Sequence, residues 1–318
     1  MRVIFSTTIA REPVQRALKT FHDLDLVICE DLADVAPLVA QADALVLSDP
    51  RGAPGRDIAQ AMKQPGSKVR WVQLLSAGAA GLLAHGVPSG VVLTNQGGAV
   101  APAVAEHGMA MILAMARRIP AICDRSLRHE WSKAFDPPLV SMEGKTLAIV
   151  GFGNIGAQLA RRAAGFDMKI VGLSRSITTS PLAEMRPMEA LDDVLAEADV
   201  VALCIASLPA TRHLMDAGRF AAVKPGALFI NLSRGETVDQ AALRTALETG
   251  RLRGAFIDVT DPEPLPADDP LWQAPNLFIS PHTAGAGSSH TGRRIAEVVG
   301  ENLRRFMRGE PLLHQLKS

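Results

Sequence analysis

The sequence predicts an α/β protein built from two doubly wound parallel sheets, and three observations lead there. Short apolar runs recur with helix-like stretches between them, which is how strands of a parallel sheet and their crossover helices read in sequence. The runs fall into two series, divided by an Ala-, Met- and Leu-rich segment at 100–119. A glycine-rich loop stands directly behind the first strand of the second series.

The first series consists of Val3–Phe5, Leu24–Cys29, Ala44–Leu47, Val69–Leu75 and Val91–Thr94, each followed by a helix-like stretch or a Gly-containing turn. The segment Val100–Ile119 reads as one long, mostly buried helix, with Arg117 and Arg118 placed late where they suit the helix dipole. The second series runs through Thr146–Val150, Lys169–Leu173, Val200–Cys204, Ala227–Asn231, Gly254–Asp258 and Leu277–Ile279. About five and six strands are therefore expected. A last helix, Arg293–Arg308, carries the chain back to cover the first sheet. The expected organisation is a discontinuous smaller domain, 1–98 plus 286–318, with a nucleotide-binding domain at 99–285 inserted in it. Pro262–Pro270 reads as a loop held by its own prolines.

Composition narrows the partners. A chain of 318 residues has room for about two domains at roughly 150 residues each. Lys and Arg number 33 and Asp and Glu 33, so no excess positive field invites nucleic acid or anionic lipid. Tyr is absent and aromatics make up 4%, which argues against base-stacking platforms. No apolar stretch reaches the ~18 residues of a membrane span, and the apolar run at the N-terminus is too short for a secretory signal. Cys29, Cys123 and Cys204 stand far apart and read as buried, reduced thiols, with neither a disulfide framework nor a metal site. A cytoplasmic protein with no nucleic-acid or membrane partner is expected.

Gly151-Phe152-Gly153-Asn154-Ile155-Gly156 is a G-x-G-x-x-G sequence. The strand-like Thr146–Val150 enters it and the helix-forming Ala157–Ala164 leaves it, the context a Rossmann dinucleotide loop requires. Its glycines permit a tight turn and close backbone approach, and the helix start offers free N–H groups to a pyrophosphate. NAD-preferring loops place Asp or Glu about 20 residues on, at the ribose 2′-hydroxyl. Here Ser174-Arg175-Ser176 occupies that place, with no acidic residue between Met168 and Leu182. A guanidinium flanked by hydroxyls accepts a 2′-phosphate that a carboxylate would repel. NADP(H) is the expected cofactor, with NAD(H) as the second choice. The alternative is Arg175 as a solvated loop residue stacking on adenine.

Three polar segments follow strand ends in the second series: Asn231 to Asp239, Asp258 to Pro264, and Ser280 to Gly285. Ligands of doubly wound sheets gather at the carboxyl ends of strands. Arg234, Glu263 and His282 are thus delivered from three successive strand ends. Taken singly, Glu263 reads equally as a turn cap, Arg234 as the partner of Asp258 or Glu236, and His282 as a loop histidine.

With these segments in place, the chain resembles the D-isomer-specific 2-hydroxyacid dehydrogenases over nearly its whole length, and is closest in character to the glyoxylate/hydroxypyruvate reductases. The motifs are the Gly loop, Asn95-Gln96-Gly97-Gly98 through Glu106-His107, Pro209-Ala210-Thr211-Arg212-His213, Lys224-Pro225-Gly226-Ala227, Ser233-Arg234-Gly235 with Val238-Asp239, Glu263-Pro264-Leu265, Pro270-Leu271-Trp272 and Pro281-His282. The resemblance implies a Rossmann domain inserted into a flavodoxin-like substrate domain. It implies that Arg234 grips the carboxylate and carbonyl of a 2-keto acid. His282 would donate the proton to the carbonyl oxygen, and Glu263 would stabilise its imidazolium. Asn154 and Ile155 would lie at the pyrophosphate, Leu208, Pro209 and Thr211 along the adenosine, and Leu232, Ser233 and Asp258 near the nicotinamide. Backbone N–H groups at Ala77 and Gly78 would hold the substrate carboxylate, in a site spanning both domains that closes on the substrate.

Two departures stand out. Thr260 follows Asp258-Val259 where the family often has an aromatic, and the loop 77–81 lacks the aromatic and acidic residues common nearby. Trp131 reads either as projecting toward a partner subunit's site or as a buried core or interface residue. The expected function is reduction of a small 2-keto acid by NADPH, in a homodimer. An NAD-dependent phosphoglycerate dehydrogenase and a non-catalytic nucleotide sensor of the corepressor kind are the other readings. The first is disfavoured by Arg175, and both by the little sequence left over for further modules.

Overall fold

A computed structural model describes residues 1–316. The chain divides into two compact units, Met1–Val100 together with the chain from Gly287 onward, and Ala101–Ala286. Each has its own sheet.

The first unit alternates β1 (Arg2–Ser6), α1 (Arg11–Leu18), β2 (Asp25–Ile28), β3 (Ala44–Leu47), α2 (Gly52–Lys63), β4 (Trp71–Leu74), the single turn α3 (Ala80–Leu83) and β5 (Val92–Thr94). The strands are all parallel in the order β2-β1-β3-β4-β5, the order of a flavodoxin-like sheet. Burial on both faces explains why these strands read as continuous apolar runs. Ile4, Leu45, Leu47, Val72 and Leu74 pack on one face, and Val3, Phe5, Val46 and Trp71 on the other.

The second unit opens with α4 (Ala101–Ala116) and α5 (Ile119–Leu127), followed by β6 (Thr146–Val150), α6 (Asn154–Ala164), β7 (Lys169–Leu173), β8 (Glu184–Arg186), α7 (Leu191–Glu197), β9 (Val200–Leu203), α8 (Ala217–Ala222), β10 (Ala227–Asn231), α9 (Gln240–Glu248), β11 (Leu252–Ile257) and β12 (Leu277–Ile279). The sheet order is β12-β11-β10-β9-β6-β7-β8, the Rossmann order with one added edge strand and a topological switch between β6 and β9. Register pairs Asn231 with Ile257 and Ile257 with Ile279, so β10, β11 and β12 end on one level.

The chain then returns to the first unit as α10 (Ser289–Arg308). Ile295, Val299 and Leu303 of this helix join Val3, Phe5 and Trp71 in one core. The buried Asn302 side chain donates to Gln73 Oε1 at 2.9 Å and accepts from the Leu313 N–H at 2.7 Å, fixing the helix to the centre of β4.

Each unit ties its strand starts together through one aspartate. Asp43, before β3, accepts from the Arg2 N–H at 2.7 Å. Asp199, before β9, accepts from the Thr146 N–H at 3.0 Å and Lys224 Nζ at 2.8 Å. Burial opposes ionisation of Asp199, but the hydrogen bonds from Lys224 and Thr146 outweigh it and hold the carboxyl below its ordinary range. The resulting stabilisation is present above the ordinary carboxyl range and is lost as pH falls through the lowered folded-state value.

Three expectations are corrected. The helix expected over Val100–Ile119 is two helices, because Arg118 takes a left-handed backbone (φ 54°) and starts a new one. Cys123, on α5, is exposed, since no residue of that helix is buried; Cys29 is buried, and burial pushes the Cys204 thiol up to about 12. The second sheet has a seventh strand, β8, whose residues Glu184, Met185 and Arg186 lack the apolar signature because it is an edge.

Candidate active site

The glycine loop sits at the switch point of the second sheet. Gly151 has φ 96°, a left-handed conformation that favours glycine, and packs against the carbonyl of Cys204. A β-carbon on Gly156 would fall 2.5 Å from the Gly151 carbonyl, so this glycine brings helix and turn together. At Gly153 a β-carbon would meet nothing within 4 Å, which leaves open space in front of α6. That helix begins at Asn154 with no side chain capping its N–H groups. The cradle therefore fits a pyrophosphate, with the exposed Asn154 and half-buried Ile155 at its rim.

Beyond β7, Arg175 and Ser176 are exposed. Ser174 Oγ accepts from the N–H groups of Ser176 and Ile177, at 3.3 and 3.1 Å, and so shapes the turn that presents Arg175. On the neighbouring edge strand β8, Glu184 is taken by Arg186 at 2.8 Å.

The segment after β10 is built on Asn231, whose buried side chain accepts from Ser233 N–H (2.9 Å) and Ser233 Oγ (2.6 Å) and donates to the Arg234 carbonyl (3.0 Å). Thr237 Oγ1 donates to that same carbonyl at 2.7 Å. With its backbone fixed, Arg234 spends one terminal nitrogen on the Ser233 carbonyl at 2.6 Å. It forms no ion pair with Asp258 or Glu236 among the described residues, leaving its charge for another anion.

Asp258, following β11, is 4% exposed. Its carboxylate accepts from Ser280 Oγ at 2.5 Å, Thr283 N–H at 2.8 Å and Ala284 N–H at 3.1 Å, and its carbonyl accepts from the His282 N–H at 2.8 Å. These bonds hold the loop after β12 with His282 at φ 55°. Glu263 Oε2 lies 3.0 Å from His282 Nδ1, while Oε1 accepts from the Thr260 N–H at 3.2 Å. The pairing commits Nδ1 and leaves Nε2 free to face a reactant. Thr260, in place of an aromatic, donates its hydroxyl to the Pro262 carbonyl at 2.9 Å and so shapes the turn that carries Glu263.

The structure thus brings Glu263 and His282 together and sets Arg234 on the neighbouring strand end. Thr211 and Ser233, expected at the cofactor, are buried, with hydroxyls engaged inside their own loops. Leu232 is buried against Gly108 of α4, whereas Leu208 is exposed beside the Pro209–Thr211 turn. In the first unit, Asn95 Nδ2 donates to the Ala77 carbonyl at 2.7 Å and Ser76 Oγ to that of Gly78 at 2.8 Å, while the N–H groups of Ala77 and Gly78 donate to nothing among the described residues. Trp131 is 95% exposed and is no core residue.

Sequence reasoning passed over Asn231 and Gln240. The Gln240 amide donates to the Asp261 carbonyl at 2.8 Å and accepts from its N–H at 3.0 Å, clamping the loop before Glu263. For Asn231 a signal existed: a polar residue closing an otherwise apolar strand.

Residues 109–284 match the family described as D-isomer specific 2-hydroxyacid dehydrogenase, NAD binding domain. The chain belongs to the D-isomer specific 2-hydroxyacid dehydrogenases. It is accordingly an oxidoreductase that works with a nicotinamide dinucleotide. Among curated relatives it is 39% identical to a glyoxylate reductase of Korarchaeum cryptofilum over 229 residues, 70% of this chain and 68% of that one. It is also 35% identical to a D-3-phosphoglycerate dehydrogenase of Methanocaldococcus jannaschii, over 70% of this chain and 42% of that one. A solved 2-hydroxyacid dehydrogenase family protein of Aeromonas salmonicida superposes with TM-score 0.87 at 30% identity, covering 99% of this chain and 98% of that one. An NADPH-dependent glyoxylate/hydroxypyruvate reductase of Sinorhizobium meliloti, solved with NADP and sulfate, does so with TM-score 0.83 at 25% identity, covering 99% and 98%.

Proposed function

We propose that the chain reduces a small 2-keto acid of the glyoxylate or hydroxypyruvate kind to the D-2-hydroxy acid, with NADPH as the preferred cofactor. The observation that carries this reading is the His282–Glu263 pair with Arg234 on the neighbouring strand end, an arginine with no carboxylate partner among the described residues. Bound at the glycine cradle, NADPH supplies the hydride. Arg234 binds the substrate carboxylate and polarises the carbonyl, a task its forked geometry suits. His282 gives the proton at Nε2 to the carbonyl oxygen, and the Glu263 carboxylate stabilises the imidazolium from Nδ1. Asp258 holds the His282 loop. The free N–H groups of Ala77 and Gly78 are the first unit's candidates for the substrate carboxylate.

For the cofactor, Arg175 takes the 2′-phosphate. Its exposure and its lack of a hydrogen-bond or ion-pair partner among the described residues favour this, as does the NADPH use in the name of the Sinorhizobium relative. The test is a panel of glyoxylate, hydroxypyruvate, pyruvate and phosphohydroxypyruvate with NADPH and NADH, in wild type and R175A. Wild type should prefer NADPH with one of the unphosphorylated acids. R175A should lower the NADPH-to-NADH ratio of kcat/KM by about 10- to 100-fold, the worth of a charge-assisted contact. NADH preference with phosphohydroxypyruvate would put the chain with the phosphoglycerate dehydrogenases, and absence of turnover despite NADPH binding would make it a sensor.

We also propose a homodimer. Ile119, Ile122, Leu127 and Trp131 are exposed in one stretch around α5, and clustered apolar side chains of this kind mark interfaces. Sedimentation should give twice the chain mass, and L127E together with W131E should halve it; a monomeric wild type removes the proposal.

A further inference from the structure

The second unit also holds a cavity at the end of its sheet opposite the His282 loop. About 250 Å³ in volume, it lies between the C-terminal part of α4, the start of α5 and the first residues of β10, β11 and β12. Met115, Leu228, Leu277 and Phe278 give it apolar walls, and Arg118, Arg253 and Asn276 are its polar groups. Four residue steps along β11, from Arg253 to Ile257, put it roughly 13 Å from the strand ends that precede Arg234 and His282.

The two arginines have no anion beside them among the described residues. Arg118 donates to Asn276 Oδ1 at 2.9 Å and to the Asp136 carbonyl at 3.1 Å, both neutral acceptors, and its Nε is buried without a partner. Arg253 has Nε and Nη2 buried and unbonded. Burial, and then repulsion from Arg118, push the Arg253 guanidinium below its ordinary range. Neither residue forms an ion pair among the described residues, although their half-buried guanidinium groups stand close enough to repel. Buried charges in folded proteins are ordinarily paired, because an unpaired one loses hydration without compensation. Here two half-buried like charges flank one cavity with N–H groups to spare, so an anion entering it would relieve their repulsion and take up those groups.

We propose that this cavity binds a small carboxylate carrying an apolar body. A planar carboxylate matches the guanidinium fork, and the Met, Leu and Phe walls accept a hydrocarbon or aromatic group. The walls have nothing to offer a fully hydrated anion.

The test is calorimetric titration of the full-length protein with benzoate, in wild type, R253M and R234A. Benzoate should bind wild type and R234A alike, and R253M with affinity lowered at least about tenfold. Benzoate should raise the melting temperature of wild type and leave that of R253M unmoved. Without ligand, R253M should melt no lower than wild type, since it removes a repulsion and no partner; R253Q takes its place in the titration should R253M fail to fold. Benzamide, a neutral isostere, and inorganic phosphate should bind far more weakly. Loss of binding in R234A but not R253M would place benzoate at Arg234 and overturn the proposal. So would equal binding of benzamide or phosphate, or no binding to wild type, as when a carboxylate of a second copy already fills the cavity.

Discussion

Replacing His282 by alanine is expected to lower kcat by about 10²- to 10⁴-fold, the usual worth of a positioned general acid, while the affinity for the dinucleotide stays unchanged. The side chain leaves from the loop after β12 and touches none of the glycine cradle's groups, so its removal should be felt in the chemical step alone. E263Q should cost less, about 10- to 100-fold. An amide oxygen still accepts from Nδ1, but it brings no negative charge to offset the imidazolium. Stopped-flow measurement of dinucleotide oxidation, with a separate fluorescence titration of binding, distinguishes the two effects. A His282→Ala enzyme turning over at the wild-type rate would take the proton-transfer role away from this residue.

The second large effect is expected at a residue with no chemistry of its own. Gly235 lies where the chain after β10 crosses the chain after β11, and a β-carbon there would collide with the carbonyl of Thr260 and the amide of Asp261. Those atoms are backbone, and the segment is already fixed by Gln240, which brackets the Asp261 N–H and carbonyl, and by Glu263, which accepts from the Thr260 N–H. They cannot give way as a flexible side chain would. Gly235→Ala should therefore destabilise the fold by about 2–4 kcal/mol, as overpacking against fixed neighbours does. Below its melting temperature, the variant should still lose about 100-fold in kcat/KM, because a shift near 1 Å between Arg234 and the His282–Glu263 pair spoils their alignment. Chemical denaturation and steady-state kinetics at one temperature separate the two losses. A stable and fully active G235A would mean that the two segments move apart without consequence.

The strands were legible because both sheets are parallel and buried on both faces, which leaves an unbroken apolar run wherever a strand lies. Ala44–Leu47 and Thr146–Val150 stand where the hydrophobic runs put them. What escaped was governed by something other than hydrophobicity. The break between α4 and α5 depends on one left-handed residue, Arg118, inside a stretch that is helical by composition. Strand β8 is polar because only one neighbour pairs with it. In the candidate site, Arg234, Glu263 and His282 were visible as polar residues just past strand ends, where ligands of doubly wound sheets gather. Their supports were not. Asn231, Gln240 and the Thr260 hydroxyl act through hydrogen bonds to backbone atoms of other segments, and such pairings leave no periodic trace in a single chain. The Arg118 and Arg253 pair is hidden for the same reason, as 134 residues of unrelated sequence come between the two.

The level ends of β10, β11 and β12 have one more consequence. The strands that lead to Arg234, Glu263 and His282 end on a single rung of the sheet, so their loops start at points spaced by strand separation, about 4.8 Å per step, and hydrogen bonds among those loops set the rest. Changes in the chain beyond these hydrogen-bonded turns can remodel the walls around a ligand while Arg234 and the His282–Glu263 pair keep their starting points. A lineage built on this rung is free to exchange one acid for another without having to reinvent the reaction.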